Sequence, residues 1–177
     1  MLDAMRRVIV HPSLDKFLRE RDHADFGRAI VGTLAIGALA GGVGGILNVL
    51  AIGDSIGEAI ALTIVTPLRF IFALILSQAF LLASARVLGG RGEFATQFYL
   101  GALGFVPLNA IGILLVAIPA IGAALALAML LYSMALNVFA LRAAHGGTAW
   151  RVPNGVLFIL SISGGILGWF ALSSIGQ

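Results

Sequence analysis

Long uncharged stretches, punctuated by short clusters of arginine, dominate the pattern along this chain. Ala29–Gly53 carries no charge, and between Ala59 and Ala85 the only charge is Arg69. Phe94–Leu141 is uncharged over about 48 residues, and Val152–Gln177 is uncharged to its end. A bilayer core ~30 Å thick is crossed by about 20 apolar residues of helix. The third stretch would reach ~72 Å as one helix at 1.5 Å per residue, too long for a single crossing. It divides at Ile118-Pro119-Ala120-Ile121-Gly122, where proline interrupts a helix and glycine supports a turn. The pattern therefore predicts an all-α, polytopic integral membrane protein. Its residues 29–177 form a bundle of five transmembrane helices over about 29–52, 64–86, 95–117, 120–141 and 153–174.

Residues 1–28 read differently. Met5-Arg6-Arg7-Val8-Ile9-Val10-His11-Pro12 has too short an apolar run for a signal peptide. Beyond Pro12, which suits the start of a helix, Leu14, Phe17, Leu18 and Arg21 fall at helical spacing with charges between them. This segment is expected to be a cytoplasmic amphipathic leader lying on the inner headgroups.

Charge sets the orientation. Arg6, Arg7, Lys16, Arg19, Arg21 and Arg28 precede the first span, Arg86 and Arg91 follow the second, and Arg142 and Arg151 follow the fourth. Ten of the eleven basic residues thus gather on one side, which the positive-inside rule makes cytoplasmic. The other side holds Asp54, Glu58, the uncharged Pro119 hairpin and an uncharged C-terminus. The N-terminus is expected inside and the C-terminus outside.

Composition narrows the function classes. The chain is 60% hydrophobic and 11% charged, with a mean hydropathy of +1.06, against about 25% charge in a soluble domain. It lacks cysteine, which removes thiolate metal sites and cysteine nucleophiles. The basic residues are scattered and net charge is only +3, so no nucleic-acid partner is expected. His11, His23 and His145 match no ligand spacing, and each reads as a surface histidine. Gly89-Gly90-Arg91-Gly92 lacks the lysine of a phosphate loop and reads as a tight helix-to-helix turn. No catalytic, cofactor-binding or metal-binding residue is nominated, and no enzyme activity or cofactor is expected.

Small residues mark the helix packing. Gly37, Gly41 and Gly45 recur at every fourth position of the first span, Ala120, Ala124 and Ala128 in the fourth, and Gly164 and Gly168 in the fifth. Such stripes let backbones approach closely. They are expected to pack the five helices together, with self-association as the alternative. Ser55-Ile56-Gly57-Glu58 fits a capping box opening the second helix, which is expected to bend at Pro67. Arg69 stands apart as a charge inside a span, expected to snorkel to the outer headgroups. In the other reading it is buried in a polar path with Asn48, Asn109 and Asn137.

The order of features resembles a family. Ala85-Arg86-Val87-Leu88-Gly89-Gly90-Arg91-Gly92-Glu93-Phe94 is followed by Tyr99, Pro107 and the Pro119 hairpin. Then come Leu141-Arg142-Ala143-Ala144-His145-Gly146 and a last hydrophobic helix, with His11-Pro12 leading the chain. Together these resemble the Yip family (Ypt/Rab-interacting proteins) in its short prokaryotic form. The resemblance implies five spans and a cytoplasmic N-terminus. In eukaryotic members it implies vesicle traffic and binding of prenylated Rab-type GTPases, and the long N-terminal region of those members, with its D-L-Y-G-P-type motif, is matched by no residues here. It transfers no functional residue by position.

The expected function is that of a non-enzymatic integral protein of a prokaryotic inner membrane. It would organise the bilayer or bind a lipid or protein partner, with Arg86, Arg91, Arg142 and Arg151 forming a cytoplasmic face toward anionic inner-leaflet lipids. The alternative is a small transporter or channel, whose polar path the intramembrane asparagines would line.

Overall fold

The structure, a computed structural model, describes residues 1–53, 55–116, 118 and 120–174 of the chain. The expectations placed on Asp54, on Pro119 and on the last three residues lie outside them. The described residues form seven α-helices: α1 (Leu2–Val10), α2 (Leu14–Arg21), α3 (Phe26–Ile52), α4 (Ile56–Val87), α5 (Phe94–Val116), α6 (Gly122–Ala144) and α7 (Asn154–Ser174). A 3₁₀ turn covers Gly147–Ala149, and no strand occurs among the described residues.

By length and composition, α3, α4, α5 and α6 can each cross a membrane. α7 is apolar too, but its described apolar stretch, Asn154–Gly168, is shorter. The structure thus displays four such helices where the sequence pattern predicts five. α4 begins at Ile56, where the expected capping box opens it, and so starts ahead of the span predicted from 64. The Ser55 hydroxyl accepts from the Glu58 amide (3.2 Å), while the Glu58 carboxylate accepts from the Ser55 amide (2.7 Å). The helix then runs on through Pro67.

α5 is the axis of the bundle. Residues 97–106 are buried without interruption, as befits a helix apolar on every side, and α1, α3, α4 and α6 surround it. α3 lies against α4 along its glycine stripe. A Cβ at Gly37 would sit 2.6 Å from Pro67 Cα, one at Gly45 2.8 Å from Ala59 Cα, and one at Gly41 would strike the Leu62 carbonyl oxygen. On another side of α4, Gly164 faces Leu81 and Ser77, and Gly168 faces the Ala73 carbonyl. Both glycine series are therefore occupied within one chain. The alanine stripe is not: Ala124 and Ala128 are exposed, and Ala126 is the residue that α6 presents to Gly112 of α5.

The leader departs most from expectation. It contains a helix, α1, that the short run Val8-Ile9-Val10 does not announce. Its apolar side faces protein instead of headgroups: Ala4, Met5, Val8 and Phe17 are all buried in the bundle's core cluster. Phe17 stacks on Phe139 of α6 at 6.1 Å, and the Tyr132 hydroxyl donates to the Ile9 carbonyl (2.6 Å). Glu20, itself nearly buried, accepts twice from the Arg7 guanidinium (2.7 and 3.1 Å) and once from the Tyr99 hydroxyl (3.4 Å). A desolvated carboxylate is tolerable only when paired in this way. α1 and α2 are thereby part of the fold.

Candidate functional site at the basic end of the bundle

The C-terminal ends of α4 and α6 and the N-terminal ends of α5 and α7 meet at the end of the bundle where α1 and α2 dock. Gly89-Gly90-Arg91-Gly92 forms the tight turn the sequence suggests. Gly89 is left-handed (φ +80°), its amide bonds the Arg86 carbonyl (3.0 Å), and the Gly90 amide bonds the Ala85 carbonyl (2.8 Å). This pair of bonds is a Schellman ending, which only glycine enters without strain. The next residues then approach α6 closely. A Cβ on Gly90 would lie 2.6 Å from His145 Nδ1, and one on Gly92 2.7 Å from the Ala144 carbonyl oxygen.

That approach buries His145, which corrects its reading as a surface histidine: it retains 4% of its exposure. The Gly92 amide, a fixed donor, gives its hydrogen to His145 Nδ1 (2.8 Å). A neutral ring must then carry its proton on Nε2, which points at Gln97 Oε1 (2.6 Å). Gln97 Nε2 in turn donates to the Gln78 carbonyl (2.9 Å) and to Gln78 Oε1 (3.2 Å). Gln78 Nε2 reaches Asn137 Oδ1 (3.4 Å). Donor leads to acceptor at every step, from the α4–α5 turn through α6, α5 and α4 and back to α6. Gly101 makes room, since a Cβ there would collide with the Gln78 amide. Burial is the main cause that holds the His145 pKa down at about 4, the positive charge of Arg86 the second. Protonating Nδ1 would also set its new hydrogen against the Gly92 N–H.

The four arginines assigned to a shared face have separate positions. Arg142 is committed internally: its Nε donates to Asn154 Oδ1 (2.6 Å), Nη1 to the Trp150 carbonyl (2.9 Å) and Nη2 to the Val152 carbonyl (2.5 Å). Its planar fork pins the α6–α7 connection, leaving it poorly placed to meet an external partner. Trp150 completes the fastening by donating from Nε1 to the Leu88 carbonyl (3.1 Å) and lying 5.1 Å from the His145 ring. Arg86, Arg91 and Arg151 are exposed. Arg91 joins Arg21, His145, Gly146 and Trp150 around a cavity of about 480 Å³.

Two of the intramembrane polar residues are engaged separately. Asn109 Nδ2 donates to the Phe105 carbonyl of its own helix (2.7 Å), whereas Asn137 belongs to the histidine–glutamine chain. Asn48 and Arg69 are half-buried on α3 and α4. Asn109 also touches a second cavity of about 450 Å³, lined almost entirely by apolar side chains such as Phe70, Ile113, Leu127 and Met134. Gln78 and Gln97 are the site residues that the sequence reading passes over. They carried the same signal as the asparagines, an amide inside an uncharged stretch.

Comparison with known proteins agrees with the resemblance seen in the sequence. The family model described as the Yip1 domain matches residues 6–172, almost the entire chain. No curated protein and no solved structure matches it.

Proposed function

The chain belongs to the Yip1 domain family, and on that premise we propose that it is a non-enzymatic integral membrane protein. In this reading α3 to α7 all cross the bilayer, with α7 as the fifth span. The end bearing α1 and α2 faces the cytoplasm, the C-terminus lies outside, and the membrane is a prokaryotic inner membrane. There the protein organises the bilayer or holds a lipid or protein partner.

One observation supports this reading over transport. Four polar side chains buried between the helices, His145, Gln97, Gln78 and Asn137, are spent on one another at the end where the arginines gather. A conducting path requires polar groups that face a channel, whereas these close the bundle. The absence of cysteine allows a clean test. Single cysteines replacing Arg91 or Arg151 should react with an impermeant maleimide only from the cytoplasmic side, and one replacing Ser55 only from outside. Labelling of all three positions from one side would refute the orientation. Uptake of a solute by proteoliposomes, lost on Asn137→Leu, would refute the non-transport reading.

A further inference from the structure

The cavity of about 480 Å³ at the basic end is lined by Arg21 of α2, by Gly89 and Arg91 of the α4–α5 turn, and by residues of the α6–α7 connection. Its charged side chains are both guanidiniums, and no acidic residue lines it. Arg91 is exposed and makes no hydrogen bond or ion pair among the described residues. Arg21 is held in place by bonds from Nη1 to the Ala143 carbonyl (3.5 Å) and from Nε and Nη2 to Asp22 Oδ1 (3.4 Å each), which leaves one hydrogen on each terminal nitrogen for a ligand. Its one ion pair, with Asp22 at 3.4 Å, joins two solvent-exposed side chains and is worth little. The turn that carries Arg91 is itself fixed by the Gly92–His145 bond, so the second guanidinium sits on a rigid base.

Two arginines on the wall of a cavity this size, with no carboxylate among its lining residues, match a tetrahedral oxyanion, which guanidinium binds in bidentate fashion. The volume falls in the range of sites for small ligands, about 300–1,000 Å³. The surroundings add an apolar edge, since Val87 and Leu88 of the same turn are large hydrophobic residues exposed at the end of a membrane-length helix. We propose that this cavity binds a phosphate group, held between Arg21 and Arg91.

A phospholipid headgroup and free phosphate share that chemistry. The lipid source rests on the reading that this end meets the inner leaflet; the phosphate site itself does not. Cysteine labelling at position 91 tests the orientation, and ligand binding tests the site, so the two can fail separately.

The test uses the full chain purified in a neutral detergent. Binding of phosphatidylglycerol, phosphatidylcholine and inorganic phosphate is compared for the natural sequence, Arg91→Gln, Arg91→Lys and Arg151→Gln. Arg91→Gln should weaken binding about tenfold or more, Arg91→Lys should restore part of it, and Arg151→Gln, outside the cavity, should leave it unchanged. Binding of phosphatidylglycerol with this Arg91 dependence supports the site and assigns it to lipid. The same dependence with inorganic phosphate alone supports it and assigns a soluble source. Failure of every probe to bind would overturn the proposal. So would equal affinities for the natural sequence and Arg91→Gln, or equal losses for Arg91→Gln and Arg151→Gln, which reduce the effect to bulk charge.

Discussion

The two ends of this bundle are held together by different physics. At the basic end, directional bonds do the fastening: His145, Gln97, Gln78 and Asn137 hand hydrogens along a chain, while Arg142 and Trp150 tie down the last connection. Toward the opposite end, helices meet through glycine against backbone, as at Gly45 and Ala59, and large apolar side chains such as Leu50 and Ile56 face outward. In lipid, apolar surface gives helices no reason to associate, so close contact and polar bonds must do it. The glycine seams set how near α3 and α7 come to α4. The polar chain sets which residues meet, and so gives the basic end a defined, chemically specific surface.

The sharpest way to break this contrast is to remove the hinge of the polar chain. His145→Ala leaves the Gly92 amide and the Gln97 amide oxygen unpartnered in a buried place, at about 1–3 kcal/mol for each such group. A stability loss of about 2–4 kcal/mol is expected in reversible denaturation in detergent. A loss under about 0.5 kcal/mol would show the chain to be ornamental.

Next in size is a pair of glycine changes on α3. Gly41→Ala forces a methyl into the Leu62 carbonyl and Thr66 and should cost about 1–3 kcal/mol. Gly44→Ala, whose Cβ would rest 3.8 Å from Ile113, should be neutral or gain up to about 1 kcal/mol through helix propensity. Equal effects at the two positions would remove the seam from the account.

A smaller effect is expected with pH. The His145 pKa lies at about 4 in the fold, against an ordinary 6.5. Above 6.5 the ring is neutral in both folded and unfolded chains, so it gives no pH dependence. As pH falls from 6.5 toward 4, the unfolded chain takes up a proton that the folded chain refuses, and stability declines. Below about 4 the decline from this group levels off. His145→Gln should flatten that segment of the stability curve, and curves that stay parallel for the two proteins would argue against a buried neutral ring.

Much of the fold is legible in the chain because bilayer thickness leaves few choices. Phe94–Val116 and Asn154–Ser174 fall within a residue of the expected spans at most boundaries, and Ser55 and Glu58 announce their cap by type and spacing alone. The Gly89–Gly92 turn is readable for the same local reason. The site is harder to read. His145 stands after a span, among Arg142, Ala144 and Gly146, where the hydrophobic pattern has ended; its burial comes from a turn over fifty positions earlier in the chain closing on it. Nothing local distinguishes Arg142, clamped on three acceptors, from Arg151, which is exposed. The docking of α1 depends likewise on surfaces of α5 and α6 that exist only after folding.

The central claim, that a directional polar chain through a neutral His145 closes the basic end, is most directly tested by nitrogen NMR. With ¹⁵N-labelled histidine in the full chain in micelles at pH 6, the account predicts one ring that is neutral, protonated on Nε2 and bare on Nδ1. His11 and His23 serve as internal references, and removal of the distinct signals by His145→Gln assigns them. A His145 ring protonated on Nδ1, or one carrying both protons at that pH, would contradict the claim.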